Sequence, residues 1–367
     1  MASGPRVLVL GGVGFVGRNL VSYLAKNKLA SKITVADKVL PATANLNDEE
    51  KAIFESDLVS FKQANLAREA TIDAVFDHDG GNYEYVINLA AATKYSQVDE
   101  VYKENIIELS RICAAAAKKH GAKRFIEVST AQVYDSGKKA SDESAKLKPW
   151  TLIAKASLEA EKAVAESGVP HVIVRPAIIY GKSDTQGITP RLVTGAVYKK
   201  TGKKMELLWT SGLRINTVHV DDVAKALWHL TDHGDNGAIF NLADESDTDQ
   251  GLINTLLEEL YGIKTTFMGA MKSKVATSVA MSTVVAVAND KHLQPWADLC
   301  KENGINYTPL TPYLDAELLL NNPLSVDGNA IKATGFTYDH PKITAALLRE
   351  VVQDFEAKKF FPPGMLV

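Results

Sequence analysis

Three glycines, Gly11, Gly14 and Gly17, stand at three-residue spacing in VLVLGGVGFVG, between an apolar run and a helical pattern. Glycine there lets backbone approach a pyrophosphate closely, and the amides and dipole of the helix start receive its charge. Asp37 closes the second apolar run 20 residues beyond Gly17, where a carboxylate can hold ribose hydroxyls. The pattern points to an adenine dinucleotide. A carboxylate repels a 2′-phosphate, which favours NAD over NADP, while adjacent Lys38 keeps NADP open. Asn65, in QANL after the third run, is placed either to bond the adenine edge or to serve as an ordinary loop residue.

A second group could move protons. Thr151 and Lys155 are four residues apart in PWTLIAK, so on a helix they share one face. Tyr95 and Lys94, in ATKYS, follow the fourth apolar run, at the sheet edge where open α/β folds bind ligands. Tyr95 can carry a proton there or simply pack. His219, in VHVDD, alternates with apolar neighbours and reads more readily as a core histidine; Asp221 and Asp222 then start the next helix. Arg191 and Arg214 could converge on an anionic group through bidentate contacts, or lie on the surface.

Short β-branched runs alternate with helical patterns through the first half, the sign of βαβ units and a parallel sheet. Strands are expected at RVLVL (Arg6), KITVA (Lys32), VSFKQA (Val59), YVINLA (Tyr85), RFIEVS (Arg124) and HVIVRP (His171). Helical spacing runs from Val98 to a stop at Gly121, and from Thr151 to a stop at Gly168. The fold is therefore an α/β doubly wound parallel Rossmann sheet with right-handed crossovers. After Tyr180 the pattern loosens, and strands return at Thr217 and at GAIFNLAD from Gly237. Residues 1–180 and 217–243 then form the nucleotide-binding domain and 181–216 with 244–345 a smaller discontinuous substrate lobe, followed by a C-terminal helix and tail over 346–367.

Composition narrows the rest. The 41 basic and 44 acidic residues are interspersed, which argues against a nucleic-acid partner. Two cysteines, Cys113 and Cys300, are too few for a disulfide framework, and no metal cluster is expected from them. The first residues enter a strand pattern without a leader, so a cytoplasmic protein is expected. Val275–Ala288 is apolar over 14 residues, too short for a membrane span. It reads as a buried or substrate-covering helix, with contact to one membrane face as the lesser reading.

Taken together, GGVGFVG, Asp37, NLAAAT at Asn88, Asn105 in YKEN, STAQVY from Ser129, Lys155, RPAIIYG from Arg175, RINTVHVDDVAKAL from Arg214 and the late LSVDGNAIKATGF resemble the extended short-chain dehydrogenase/reductase superfamily, in its NAD-dependent epimerase/dehydratase group. The resemblance covers about 340 residues. It implies that Phe15, Val16, Leu66, Leu89, Ala90, Ala91 and Pro176 line the cofactor groove together with Lys155, and that Tyr180 walls the nicotinamide site. It implies a catalytic set drawn from Ser129, Thr130, Asn105 and Lys155, in which a hydroxyl orients the substrate and a Tyr at position 151 transfers the proton. Position 151 is Thr. An aliphatic hydroxyl titrates far above a phenol, and an ammonium neighbour does not make it a base near neutrality. Tyr134 and Lys138 also spell YxxxK, but in a strand-to-loop segment where the match is accidental.

Three consequences stay open: Tyr95 carries the proton, Lys155 or Lys94 acts directly, or the chain binds NAD without turnover. The resemblance favours a carbinol of a nucleotide-sugar-type substrate, held through Lys94, Tyr95, Tyr180, Arg191 and Arg214, with 3β-hydroxysteroid or sterol oxidation and a silent NAD-binding regulatory role as alternatives. It also implies a homodimer through the helices near 98–120 and 151–167.

Overall fold

The computed structural model describes residues 4–137 and 139–367, apart from the side chains of residues 279 and 280. Seven strands build the central sheet: β1 (Arg6–Leu10), β2 (Lys32–Asp37), β3 (Val59–Gln63), β4 (Tyr85–Asn88), β5 (Arg124–Val128), β6 (His171–Pro176) and β10 (Ala238–Leu242). Two short pairs stand apart from it, β7 (Ile178–Tyr180) with β9 (Thr217–His219) and β8 (Met205–Leu207) with β11 (Thr265–Phe267). The helices are α1 (Phe15–Lys26), α2 (Asp48–Phe54), α3 (Glu69–Phe76), α4 (Asp99–Tyr102), α5 (Leu109–Lys119), α6 (Leu152–Ser167), α7 (Thr189–Thr201), α8 (Val220–His229), α9 (Gln250–Tyr261), α10 (Ala270–Glu302) and α11 (Ala345–Ala357).

The sheet order is β3-β2-β1-β4-β5-β6-β10, every neighbour parallel. The chain starts in the middle and winds outward twice, so the C-terminal edges of β1 and β4 meet where the winding reverses. Leu10 faces Ala36 on one side and Asn88 on the other. That register brings Gly11, Asp37 and Leu89 to one lip. The strands read as unbroken apolar runs because both sheet faces are covered, and Val7, Val9, Ile33, Ile87, Ile126, Val172 and Val174 are all fully buried.

A second core joins α7, α9 and α11 through Leu192, Val193, Val197, Ile253, Leu257, Leu260, Leu348, Val352 and Phe355. Within the 244–345 stretch the chain returns to the sheet: Ile331 and Phe336 join the cluster formed with α8 and β10. The stretch from Val275 sits in the 33-residue α10 and stays largely out of the core, which among the described side chains takes Trp296, Leu299 and Cys300 from that helix. Met271 and Val275 are 84% and 60% exposed. No helix among the described residues is long and apolar enough to cross a membrane. Between α4 and α5 the helix widens into a π-turn over Lys103–Glu108.

Candidate active site

The glycine turn is shaped by what a β-carbon would strike. At Gly11, with φ of +74°, it would fall 2.7 Å from the Ala90 backbone, and at Gly17 2.5 Å from the Gly11 carbonyl oxygen. At Gly14 it would meet only that carbonyl, at 3.3 Å, so the outer face of the turn is open. Gly14 caps α1, and neither a side-chain cap nor an acidic residue occupies the first turn at Phe15, Val16 and Gly17. Unclaimed amides there suit a pyrophosphate. Asp37 accepts from the Val13 amide at 3.1 Å and from Val39 at 3.0 Å, so its carboxylate braces the turn it faces. Lys38 is exposed beside it. Asn65 accepts from the Ala67 amide at 3.1 Å, which fixes its orientation, and Leu66 is buried behind it. Asn88 accepts from the Ala90 amide at 3.2 Å and so sets the Leu89–Ala91 segment against Gly11. Pro176 is buried at the end of β6. These groups fit an adenine dinucleotide in shape and charge.

One residue that holds the cradle escaped the sequence reading. Arg18, 9% exposed, donates to the Val13 carbonyl at 2.8 Å and to the Ala44 carbonyl at 2.8 Å. Its place directly after the third glycine was the available signal.

Past the cradle, the loop from Ala90 reaches a cavity of about 990 Å³ lined by Lys94, Tyr95, Gln132, Trp150, Arg191, Gln250 and one face of α10. Here the structure accounts for Thr151. It is fully buried and caps α6, accepting from the Ala154 amide at 3.0 Å. Its hydroxyl donates to Gln132 Oε1 at 2.9 Å, and Gln132 Nε2 donates to Tyr95 Oη at 3.0 Å. Thr151 does not line the cavity, which corrects its placement in the catalytic set: the side chain is short, enclosed and committed to the helix cap. Tyr95, Tyr198 and Tyr313 all line the cavity, and Tyr95 is the one joined to the start of α6 through Gln132. With its oxygen already accepting from Gln132, its proton is free to be given to a ligand. Burial raises its pKa above the ordinary phenol value, and Glu317 and Asp315 add to that against the opposing Gln132 bond.

Glu317 positions this group from far along the chain. Its carboxylate accepts from the Ser96 amide and from the Leu152 amide, both at 2.8 Å, tying the Tyr95 loop to the start of α6. Thr130 accepts from the Gln132 amide at 3.2 Å. Ser129 is drawn away from the cavity into a buried network: it donates to Glu161, which pairs with Arg175, and Arg175 donates to Tyr134 at 2.8 Å. Its place in the catalytic set is thereby corrected. Tyr134 in turn donates to Asn241 at 2.8 Å, a structural role; Lys138 lies outside the described residues. Asn105 donates to the Val101 carbonyl at 3.1 Å within the π-turn, while its own carbonyl accepts from Ala92 at 3.1 Å. Lys155 is exposed one turn into α6 and makes no ion pair among the described residues.

Two substrate-binding expectations fail. Tyr180 is fully buried in the lobe core, its ring edge on His219 at 5.1 Å, and does not line the cavity. The apolar PAIIYG run that led to it is core packing. Arg214 is neutralised by Asp247 at 2.9 Å and Asp249 at 2.8 Å and likewise does not line the cavity. Arg191 differs. It lines the cavity with only Gln250 near its guanidinium, at 3.4 and 3.5 Å, and burial pushes its pKa down to about 10. Arg191 is half-buried with no carboxylate partner among the described residues, a setting that a ligand anion would relieve.

The model of the NAD dependent epimerase/dehydratase family matches residues 7–243. The chain belongs to that family. It is 27% identical over 263 residues to a dTDP-D-glucose 4,6-dehydratase of Dictyostelium discoideum, covering 65% of this chain and spanning 58% of that protein's length. It is 26% identical over 274 residues to a 4-hydroxy-2-methyl-3-oxo-4-farnesyl-3,4-dihydroquinoline-1-oxide ketoreductase of Stigmatella aurantiaca, covering 71% of this chain and 74% of that one. Among solved structures, a dTDP-glucose 4,6-dehydratase from Streptomyces venezuelae with NAD bound aligns with a TM-score of 0.69 at 17% identity, over 98% of this chain and 99% of that one. That last likeness is one of fold.

Proposed function

We propose that this family member is an NAD-dependent oxidoreductase of the epimerase/dehydratase type, acting at a carbinol or carbonyl carbon of an anionic, nucleotide-sugar-type substrate, with Tyr95 as its acid/base group. The observation that carries the reading is the chain Thr151–Gln132–Tyr95, which ends on a phenol in a cavity that also holds Arg191, a guanidinium with no carboxylate partner among the described residues. Gly11, Gly14, Gly17 and Asp37 hold the dinucleotide, with Lys155 on its ribose. Bound there, NAD supplies the hydride chemistry. Tyr95 gives its proton to the substrate oxygen when a carbonyl is reduced and takes it back in the reverse step. Gln132 and Thr151 orient the phenol, and Arg191 meets the phosphate through a paired guanidinium contact.

In this reading residues 1–180 and 217–243 carry the cofactor and 181–216 with 244–345 the substrate, while 346–367 close the lobe. The chain works in the cytoplasm, where the buried thiols of Cys113 and Cys300 stay reduced, as a homodimer joined through α5 and α6, which pack side by side in each copy.

A second reading has an observation of its own. Ala276, Val284, Val287 and Ala288 of α10 make one cavity wall apolar, which suits a sterol-like or prenylated alcohol. The experiment for both is the same: purified protein with NAD or NADH is given a panel of nucleotide sugars, sterols and prenylated ketones, and the reduced-nicotinamide absorbance is followed. Turnover on the nucleotide sugars supports the first reading and turnover on the apolar panel the second. NAD binding with no turnover on either refutes both in favour of a silent NAD-binding protein.

A further inference from the structure

Away from the cavity, where β9 runs into α8, two residues of HVD meet a histidine from the far end of the chain. His219 Nδ1 lies 3.7 Å from Asp221 Oδ2, and His340 Nε2 lies 3.6 Å from the same oxygen. One donor atom from each residue falls within 4.8 Å of the other two, and the imidazole centroids are 4.1 Å apart. Nitrogen and oxygen donors at about 2.0–2.2 Å from a tetrahedral ion stand roughly 3.3 Å from one another. The observed separations to Asp221 need only a small inward movement to reach that.

The frame around these side chains is built. Asp222, fully buried, accepts the amides of Asp339 at 2.6 Å and His340 at 2.9 Å. Lys225 donates to Asp339 at 2.6 Å and to the Thr337 carbonyl at 2.8 Å, so the 337–340 segment is pinned to α8 from two sides. The Tyr180 ring holds the His219 imidazole edge-on. His219 Nδ1 accepts from the Asp221 amide at 3.3 Å, a long bond that a bound ion would have to displace to reach that lone pair. The His219 side chain is 8% exposed and that of Asp221 59%, so the group is walled on one side and open to water on the other.

We propose that His219, Asp221 and His340 bind one divalent transition-metal ion of the zinc class, with water completing the shell. Two imidazoles and one carboxylate are the donor set that such ions prefer and that magnesium and calcium, which take oxygen ligands, do not. The ion would clip the late 337–340 segment to the start of α8. None of the three residues lines the cavity, so the clip acts on stability and leaves the proposed chemistry to the other groups.

The test uses the full chain, stripped with chelator and then titrated with Zn²⁺ by calorimetry and with Co²⁺ by visible absorption, Mg²⁺ serving as control. One equivalent of Zn²⁺ and of Co²⁺ is expected, with a rise in Tm and no response to Mg²⁺. Asp221→Asn, at an exposed position, and His340→Ala, half-buried against His219, should each weaken Zn²⁺ at least 10-fold and abolish the Tm rise while the far-UV spectrum is unchanged. Absence of Zn²⁺ heat and of a Co²⁺ band would overturn the proposal, as would unaltered Zn²⁺ affinity in both variants, which would place the ion elsewhere.

Discussion

Glu127 offers a test that needs no substrate. It sits on β5 in the middle of the sheet, 4% exposed, accepting from Asn88 Nδ2 at 2.8 Å and Ser110 Oγ at 2.7 Å. No cation pairs with it among the described residues. Burial pushes its pKa up to about 7 from an ordinary 4.5, with the two hydrogen bonds opposing. A carboxyl whose folded pKa lies above its unfolded one contributes full stability below about pH 4.5 and loses it as pH rises through about 7. At about 1.4 kcal/mol per pKa unit, that gap is worth roughly 3 kcal/mol. Glu127→Gln removes the ionisation, and the amide can still accept from Asn88 while donating to Ser110. The variant should match the parent at pH 4.5 and exceed it by roughly 3 kcal/mol at pH 8. Urea unfolding followed by circular dichroism at pH 4.5, 6, 7 and 8 measures the gap. A gap independent of pH, or a variant less stable than the parent at pH 8, would refute the reasoning.

Other substitutions separate the roles assigned at the cavity. Tyr95→Phe should lower kcat by about 10²–10⁴-fold, the usual worth of a positioned acid or base, while calorimetry finds NAD affinity unchanged; an unaltered kcat removes Tyr95 from the chemistry. Thr151→Val loses the α6 cap and the Gln132 bond, so urea unfolding should show a loss of about 1–3 kcal/mol, largely restored by Thr151→Ser. Equal stability of parent and Thr151→Val would contradict the buried cap. Arg191→Met should leave Tm unchanged or higher and raise KM for an anionic substrate about 10–100-fold, from a charged contact worth about 1.5–3 kcal/mol; a lower Tm with KM unchanged would make Arg191 structural.

What the sequence disclosed follows from the range of each interaction. All seven strands of the sheet were visible because a parallel strand covered on both faces is an apolar β-branched run, whatever packs on it. The glycine cradle was equally legible, since Gly11, Gly14, Gly17 and Asp37 are tied by a strand register that local pattern dictates. Contacts between distant segments were not. Arg214 looked free because its carboxylate partners come 33 and 35 residues later, and Glu317 holds Ser96 across 221 residues. No local spacing signals either. The same holds for α10, where an apolar stretch suggested burial yet one face walls a cavity and Met271 and Val275 point outward.

Thr151 shows how the two ranges combine. Its departure from the family pattern was plain from spacing to Lys155, but its role was fixed by Gln132, a residue that carries no chemistry of its own. With threonine as the cap, the start of α6 closes on itself and cannot present a phenol. The ring that faces the cavity instead stands on the loop after β4, joined to that cap by one amide. The phenol and Lys155 therefore no longer share a helix face, and Lys155 has lost the neighbour whose pKa it would depress. What remains beside Tyr95 is an amide and two carboxylates, a setting that keeps the phenol protonated. Proton donation is the step this setting favours, and the phenolate that deprotonation of a substrate hydroxyl needs is scarce there.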